Sequence, residues 1–363
     1  MKWVDRFLGR GEAAVTVPPL DGALKPNNLL EEARIGLEIP VPDNLVSTGE
    51  TLIFSSGDRL LRQPADGSAG ALLGVAEAPV AALAWGAGGV LAVAAGGKIS
   101  FRNAGADLVA GLSGGAQDWS CVTAMDFAPD GSLVIAIGSS KNGLEDWQRD
   151  LLDGECAGSV WRLDPKTGQA RQIASKLAYP NGIAVEADGN IIVSEAWQKR
   201  LIRLAPDGRL LGQVMEDLPG YPARIGRSVR GGLRGGYWLS IFAPRSPLIE
   251  FVLREPAYRK AMMAEVDKAF WIAPALRSGR SFREPMQGGA LKQMGILKPW
   301  APTRSYGLVV ELDAGFVPLR SVHSRAGGSR HGVTSAVEAR GKLWATAKGG
   351  DELVAIDLGK EGV

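Results

Sequence analysis

The sequence predicts an all-β fold, a six-bladed β-propeller, from three observations. A unit of one short β-type run, a Gly-containing turn and a second β-type run recurs six times. The units start at Asp43, Val80, Val122, Asn181, Ala223 and Gly332, spaced 37, 42, 59, 42 and 109 residues apart. Propeller blades repeat at roughly 40–50 residues, and the two long spacings mark insertions. Gly and Pro number 48 and 21 of 363 residues, which suits many turns better than long helices.

Residues 1–40 are predicted to be an extension packed on the propeller, which occupies 41–363. In the extension Trp3, Val4, Phe7 and Leu8 share one helical face, so a short amphipathic helix is expected against the outside of the domain. The first copies read DNLVSTGETLIFSSGDRLLRQ and VAALAWGAGGVLAVAAGGKISFR, and the third VTAMDFAPDGSLVIAIGSS. Their runs are rich in Val, Ile, Leu and Trp, as half-buried strands are. Asp-Gly at 130–131 and again at 188–189 supplies the positive φ of a tight hairpin. One such sheet cannot cover both its faces, so copies stack radially around an axis.

Insertions are predicted in two copies. The third carries Ser140–Gly158 before its outer strands. The fifth carries Pro247–Phe270, where Leu248, Phe251, Val252, Met262, Met263 and Val266 recur at helical spacing and Pro256 divides two helices. A polar run follows to Pro302. An insertion at 247–302 on one rim serves as a lid and pocket wall, or as side packing or a dimer contact; the oligomeric state is left open.

Several classes are excluded by composition. Lys plus Arg is 41 and Asp plus Glu 39, a formal charge of +2, so no basic field for nucleic acid exists. Cys121 and Cys156 form no disulfide framework or CxxC metal motif. Asp5, Arg6 and Arg10 interrupt the first apolar run, and the longest one elsewhere, near Val90–Ala95, is too short for a membrane span. A cytosolic protein acting on a small molecule is the expectation. With only His323 and His331, a multi-histidine zinc site is excluded, and no GxSxG, GxGxxG or GxxxxGK[ST] motif is present.

In a propeller the first strand of each blade lines the central channel, and its leading residues reach the mouth. Asp43, Asn44, Thr123, Asn181, Arg224, His331 and Thr334 occupy these starts. Glu195 and Ser240 lie on second runs, nearer the entrance. Asp43, Asn44 and Asn181 also suit turn caps, and Arg224 an ion pair with a neighbouring blade. Asp43 and Asn181 offer hard oxygens suited to Ca²⁺ or another divalent cation completed by water; a metal-free site is the alternative.

The segments LAYPNGIAVEADGNIIVSEAWQKRLIRLAPDG, LPGYPARI, GGYWLSIFAPRSPLIEF and VTSAVEARGKLWATA resemble the strictosidine synthase-like branch of six-bladed propellers, which is related to the SMP-30/gluconolactonase and paraoxonase-type lactonases. The resemblance runs from about Pro42 to Leu358 and implies a hydrolase of a small ester or lactone in the central channel. It implies metal ligands at Asp43 and Asn181. Two further ligand positions hold Thr123 and Ala223, where relatives carry Asn and Asp. The synthase's catalytic Glu aligns with Thr334. His331 then stands as the local acid or base, Arg224 steadies an oxyanion, and Asn44, Thr123, Glu195 and Ser240 contact substrate. A non-catalytic ligand-binding propeller and a metal-free condensing or isomerising enzyme are the alternatives.

Overall fold

Short apolar strands joined by Gly turns need neighbours on both faces, and in the computed structural model they find them by closing into a ring. The structure describes residues 17–103, 118–228, 235–281, 284, 292–293, 296–297 and 304–359. Six antiparallel sheets are the blades. The first runs Pro42–Ser47, Thr51–Ser56, Arg59–Pro64 and Ala71–Val75; the second is described by Val80–Trp85, Val90–Ala95 and Lys98–Asn103. The third holds Val122–Phe127, Leu133–Ile137, Gly158–Leu163 and Ala170–Leu177, and the fourth Pro180–Val185, Ile191–Glu195, Arg200–Leu204 and Leu210–Met215. The fifth comprises Gly220–Ser228, Gly236–Pro244, Gly307–Asp313 and Pro318–Ser324. The sixth has Val333–Ala339, Lys342–Ala347 and Glu352–Asp357, with Ile35–Glu38 outside them. At the Asp-Gly turns, Gly131 and Gly189 adopt φ of 84° and 85°, which an L side chain resists.

The innermost strands pack against one another around the axis, and an apolar core fills each gap between blades. Ala124, Val134 and Val160 meet Ile183, Val193 and Ile202 between the third and fourth. Leu45, Leu52 and Phe54 meet Trp344, Leu353 and Ala355 between the sixth and first.

Every innermost strand carries one extra residue near its start. Ala81, Thr123, Asn181 and Thr334 are each skipped in the register with the second strand. Asn44–Leu45 oppose Phe54 alone, and Ala223–Arg224 oppose Ser240 alone. A bulge leaves its residue free of ladder pairing and re-aims its side chain. Six equivalent bulges therefore form a second ring at one mouth of the channel.

The expected extension is partly inside the propeller. Ile35–Glu38 pairs antiparallel with Glu352–Asp357, Ile35 lying opposite Ala355. The sixth blade has three strands of its own, and this fourth satisfies the open ladder and closes the ring. Upstream, fully buried Leu30 packs with Trp238, Val309 and Val322. Arg330 donates through Nη1 to the carbonyls of Leu30 and Ala33 (2.7 and 2.9 Å), and its Nε donates to Glu352 (2.8 Å). The helix expected around Trp3–Leu8 lies outside the described residues.

The first insertion forms a helix, Trp147–Asp153, and the second forms Pro247–Val252 and Pro256–Glu265, with Pro256 opening the later one. Ser246 caps the earlier one by accepting from the Ile249 N–H. Leu152, Leu248, Val252, Met262, Trp271 and Ala273 join both insertions in a separate apolar cluster above the ring. Among the described residues no helix is long and apolar enough to cross a membrane. The rest of the run to Pro302 lies largely outside the described residues. Cys121 is buried and Cys156 exposed, and both are free thiols.

Asp126, on the innermost strand of the third blade, bridges to the fourth by accepting from the Val185 N–H (2.8 Å). Burial pushes its pKa up to about 6, against the pull of that N–H and of Arg227. The folded state then holds a proton that the unfolded chain has released, so stability declines as pH rises from about 4 to 6. Asp126→Asn is expected to flatten that part of the stability–pH curve by about 3 kcal/mol. Urea titrations at stepped pH values would show it.

Candidate active site at the channel mouth

The ring of bulges lines one pocket of about 120 Å³. Its wall takes Asp43, Ala81, Thr123, Asn181, Arg224 and Thr334 from the six blade starts. Leu144 and Trp147 of the first insertion and Leu276 of the second complete it, so both insertions serve as pocket wall. Tyr179, Trp197 and Phe242 supply an apolar side. Tyr179 and Trp197 stack at 4.5 Å between ring centroids, and Trp147 stands edge-on to Phe242 at 5.4 Å.

Asp43 is the electrostatic centre. Its Oδ1 accepts from Arg224 Nη1 (2.6 Å), Thr334 Oγ1 (2.8 Å) and the Asn44 N–H (2.8 Å), and its Oδ2 accepts from Lys348 Nζ (2.7 Å). Burial opposes ionisation, but Arg224 and then Lys348 hold the carboxyl well below the usual carboxylate range. Arg224 crosses the channel from the fifth blade to reach the first. Its Nη2 donates to Asn44 Oδ1 and to the Ala81 carbonyl (3.2 Å). Asn44 is held at φ 58° by its bulge and donates to Ser55 Oγ (2.8 Å) and the Val80 carbonyl (3.0 Å). Burial keeps the Tyr179 phenol far above its ordinary pKa, hence neutral.

A divalent cation does not fit this donor set. Among the described residues the one carboxylate on the wall, Asp43, already faces a guanidinium and an ammonium, and a third cation would meet their repulsion. Thr123 spends its hydroxyl proton on the Pro180 carbonyl (2.5 Å), Asn181 donates to the Pro222 carbonyl (3.2 Å), and Ala223 offers a methyl group. Among the described residues no cluster of three His, Cys, Asp or Glu side chains exists. Arg224 and Lys348 bring to Asp43 the positive charge that a metal ion would bring.

Four expected site residues stand apart from the pocket wall: Asn44, which meets Arg224 from outside it, and His331, Glu195 and Ser240. His331 is 3% exposed, and Arg325 and Ser305 occupy its ring. Nε2 lies 2.9 Å from the Arg325 carbonyl, which only an N–H can satisfy, so Nδ1 accepts from Ser305 Oγ at 2.7 Å. Burial lowers its pKa. Glu195 accepts from the Ala178 N–H (2.8 Å) and from Arg200 Nε (2.6 Å), fixing the turn that presents Tyr179 and Asn181. Ser240 is fully buried opposite the fifth-blade bulge.

Lys348, Trp147, Tyr179, Trp197 and Phe242 were not singled out from the sequence. Lys348 and Trp197 follow the ends of second strands, and in a hairpin that end lies beside the start of the first strand. Searching both strand termini at the rim would have found them. Trp197 is oriented from the insertion, its Nε1 donating to buried Asp150 at 2.7 Å.

A family model described as strictosidine synthase matches residues 123–205. Protein STRICTOSIDINE SYNTHASE-LIKE 13 of Arabidopsis thaliana is 30% identical over 37% of this chain and 33% of that protein, so the match spans a third of the relative's length. The adipocyte plasma membrane-associated protein of Salmo salar is 24% identical over 96% of this chain and 83% of that one. A solved gluconolactonase from Xanthomonas campestris superposes with a TM-score of 0.53 at 15% identity, covering 88% of this chain and 86% of that chain. The chain is a six-bladed β-propeller that resembles strictosidine synthase-like proteins in sequence and shares its fold with SMP-30/gluconolactonase-type propellers.

Proposed function

We propose that the channel-mouth pocket hydrolyses a small ester or lactone without a metal ion. One observation carries this reading: Arg224 and Lys348 converge on Asp43 at 2.6 and 2.7 Å and both face the pocket. A carbonyl placed against the Arg224 guanidinium is polarised, and the tetrahedral oxyanion formed by water attack is stabilised there by preset charge. Asp43 spaces the two cations. The attacking water loses a proton as its C–O bond forms, and the departing oxygen gains one as the acyl bond breaks. Asp43, the one carboxylate on the described wall, is a weak base because its pKa is so low. The site therefore suits esters whose leaving group departs readily, such as aryl esters and aryl lactones, and the aromatic wall suits their rings. A gluconolactonase of the same fold supports the lactone class. The same weak basicity favours a second reading, a pocket that binds without turnover.

Phenyl acetate and dihydrocoumarin are expected to be hydrolysed well ahead of ethyl acetate, at rates unchanged by EDTA. Arg224→Met is expected to lower kcat about 10²–10³-fold, the usual cost of one oxyanion donor. Loss of activity in EDTA that Ca²⁺ restores would overturn the metal-free mechanism, and no turnover of any panel member would leave the binding reading.

A further inference from the structure

We propose that this pocket selects an organic anion with a single aromatic ring, an aryl carboxylate, and that Lys348 is the residue that makes the selection. The inference rests on the same pocket being the functional site, but not on its being catalytic. Among the described residues the wall carries two basic side chains, Arg224 and Lys348, and one carboxylate, and its phenol, Tyr179, stays neutral. Among these residues one positive charge is thus left uncompensated, partly screened where Lys348 meets water. Arg224 commits three of its five N–H donors to Asp43, Asn44 and the Ala81 carbonyl. Lys348 differs: its side chain is 33% exposed, and its Nζ meets one side-chain acceptor, Asp43 Oδ2. An ammonium has three N–H donors, and one of them is taken by Asp43, so others remain for a ligand in the pocket that Lys348 lines.

Shape narrows the ligand further. About 120 Å³ lies below the roughly 300 Å³ at which drug-sized pockets begin, so one ring with a small substituent fills it. The Tyr179–Trp197 stack and the Phe242 and Trp147 rings offer faces and edges to that ring. An aryl carboxylate meets both demands, its ring on the aromatic side and its carboxylate at Lys348. In the hydrolytic reading this is a substrate bearing a free carboxylate beside its ester or lactone, or the acid released as product.

The test is binding of benzoate and of its neutral isostere benzamide to the full chain, by calorimetry with tryptophan fluorescence as a second signal. Benzoate is expected to bind about tenfold or more tighter than benzamide, as hydrogen bonds to a charged group imply, and high salt should erode the difference. Lys348→Met is expected to abolish the preference by weakening benzoate alone, while Lys348→Arg keeps it. Thermal melts confirm that each variant is folded. If Lys348→Met does not fold, the salt dependence and the benzoate-to-benzamide ratio of the natural chain decide. Equal affinity for the two ligands, or a preference that survives in folded Lys348→Met, overturns the proposal. Ester hydrolysis without anion preference would refute this inference alone, and anion-selective binding without turnover would refute hydrolysis alone.

Discussion

Asp43→Ala is expected to lower the free energy of unfolding by about 3 kcal/mol, the lower end of the cost of breaking a buried ion pair. Arg224 and Lys348 would remain close together on the pocket wall with no counter-charge. The lower end applies because Lys348 is one-third exposed and water partly screens it. Urea denaturation reads the effect as a shifted midpoint at unchanged slope. Substituting Asp43 and Arg224 together by Leu and Met removes both charges, and the pair should cost less than the sum of the single changes. The acid limb offers an independent signature. Asp43 has a depressed pKa in the folded state, so its contribution is complete above about pH 4 and fades as pH falls below that value. In Asp43→Ala this part of the acid-induced loss should disappear. An unchanged midpoint would show that the three-residue cluster adds nothing to the fold.

Removing residues 1–38 should have a still larger effect, at least about 5 kcal/mol, which is comparable with the whole stability of many domains. The truncation strips the outer strand from the sixth blade and exposes the ladder of Glu352–Asp357. It uncovers the apolar bed of Leu30. It also leaves Arg330 without the Leu30 and Ala33 carbonyls. Each loss alone is worth about 1–3 kcal/mol, and together they open the ring. The expected result is aggregated or insoluble protein, since an open sheet edge templates further pairing. Adding the missing segment as a separate peptide should recover part of the soluble yield. A truncated chain that melts like the full one would show that the ring closes without its clasp.

The blade starts were legible because strand chemistry is local. Runs of Val, Ile and Leu broken by Asp-Gly at 130–131 and 188–189 fix each hairpin within about 20 residues. From the hairpins follow the channel-facing termini, and Asp43, Thr123, Asn181, Arg224 and Thr334 meet in one pocket. What stayed hidden is non-local. Ile35–Glu38 is four residues with no turn of its own, and its partner strand begins more than 300 residues later. Lys348 sits past the end of a strand, where nothing in WATAK marks it as Asp43's partner from across the chain. His331 was singled out as the nearest imidazole, but sequence proximity does not reveal that Ser305 and the Arg325 carbonyl engage both ring nitrogens. A metal was expected from oxygen ligands read one at a time. Only the folded arrangement shows two cations converging on the carboxylate.

The skipped residues near the strand starts divide labour within the chain. Sheet cohesion falls to the paired neighbours, whereas the residue displaced from each ladder owes nothing to it. Its identity is therefore set by the pocket rather than by the ladder, and at Ala81 and Ala223 the bulge presents only a methyl group. One scaffold of this kind can exchange its chemistry seat by seat.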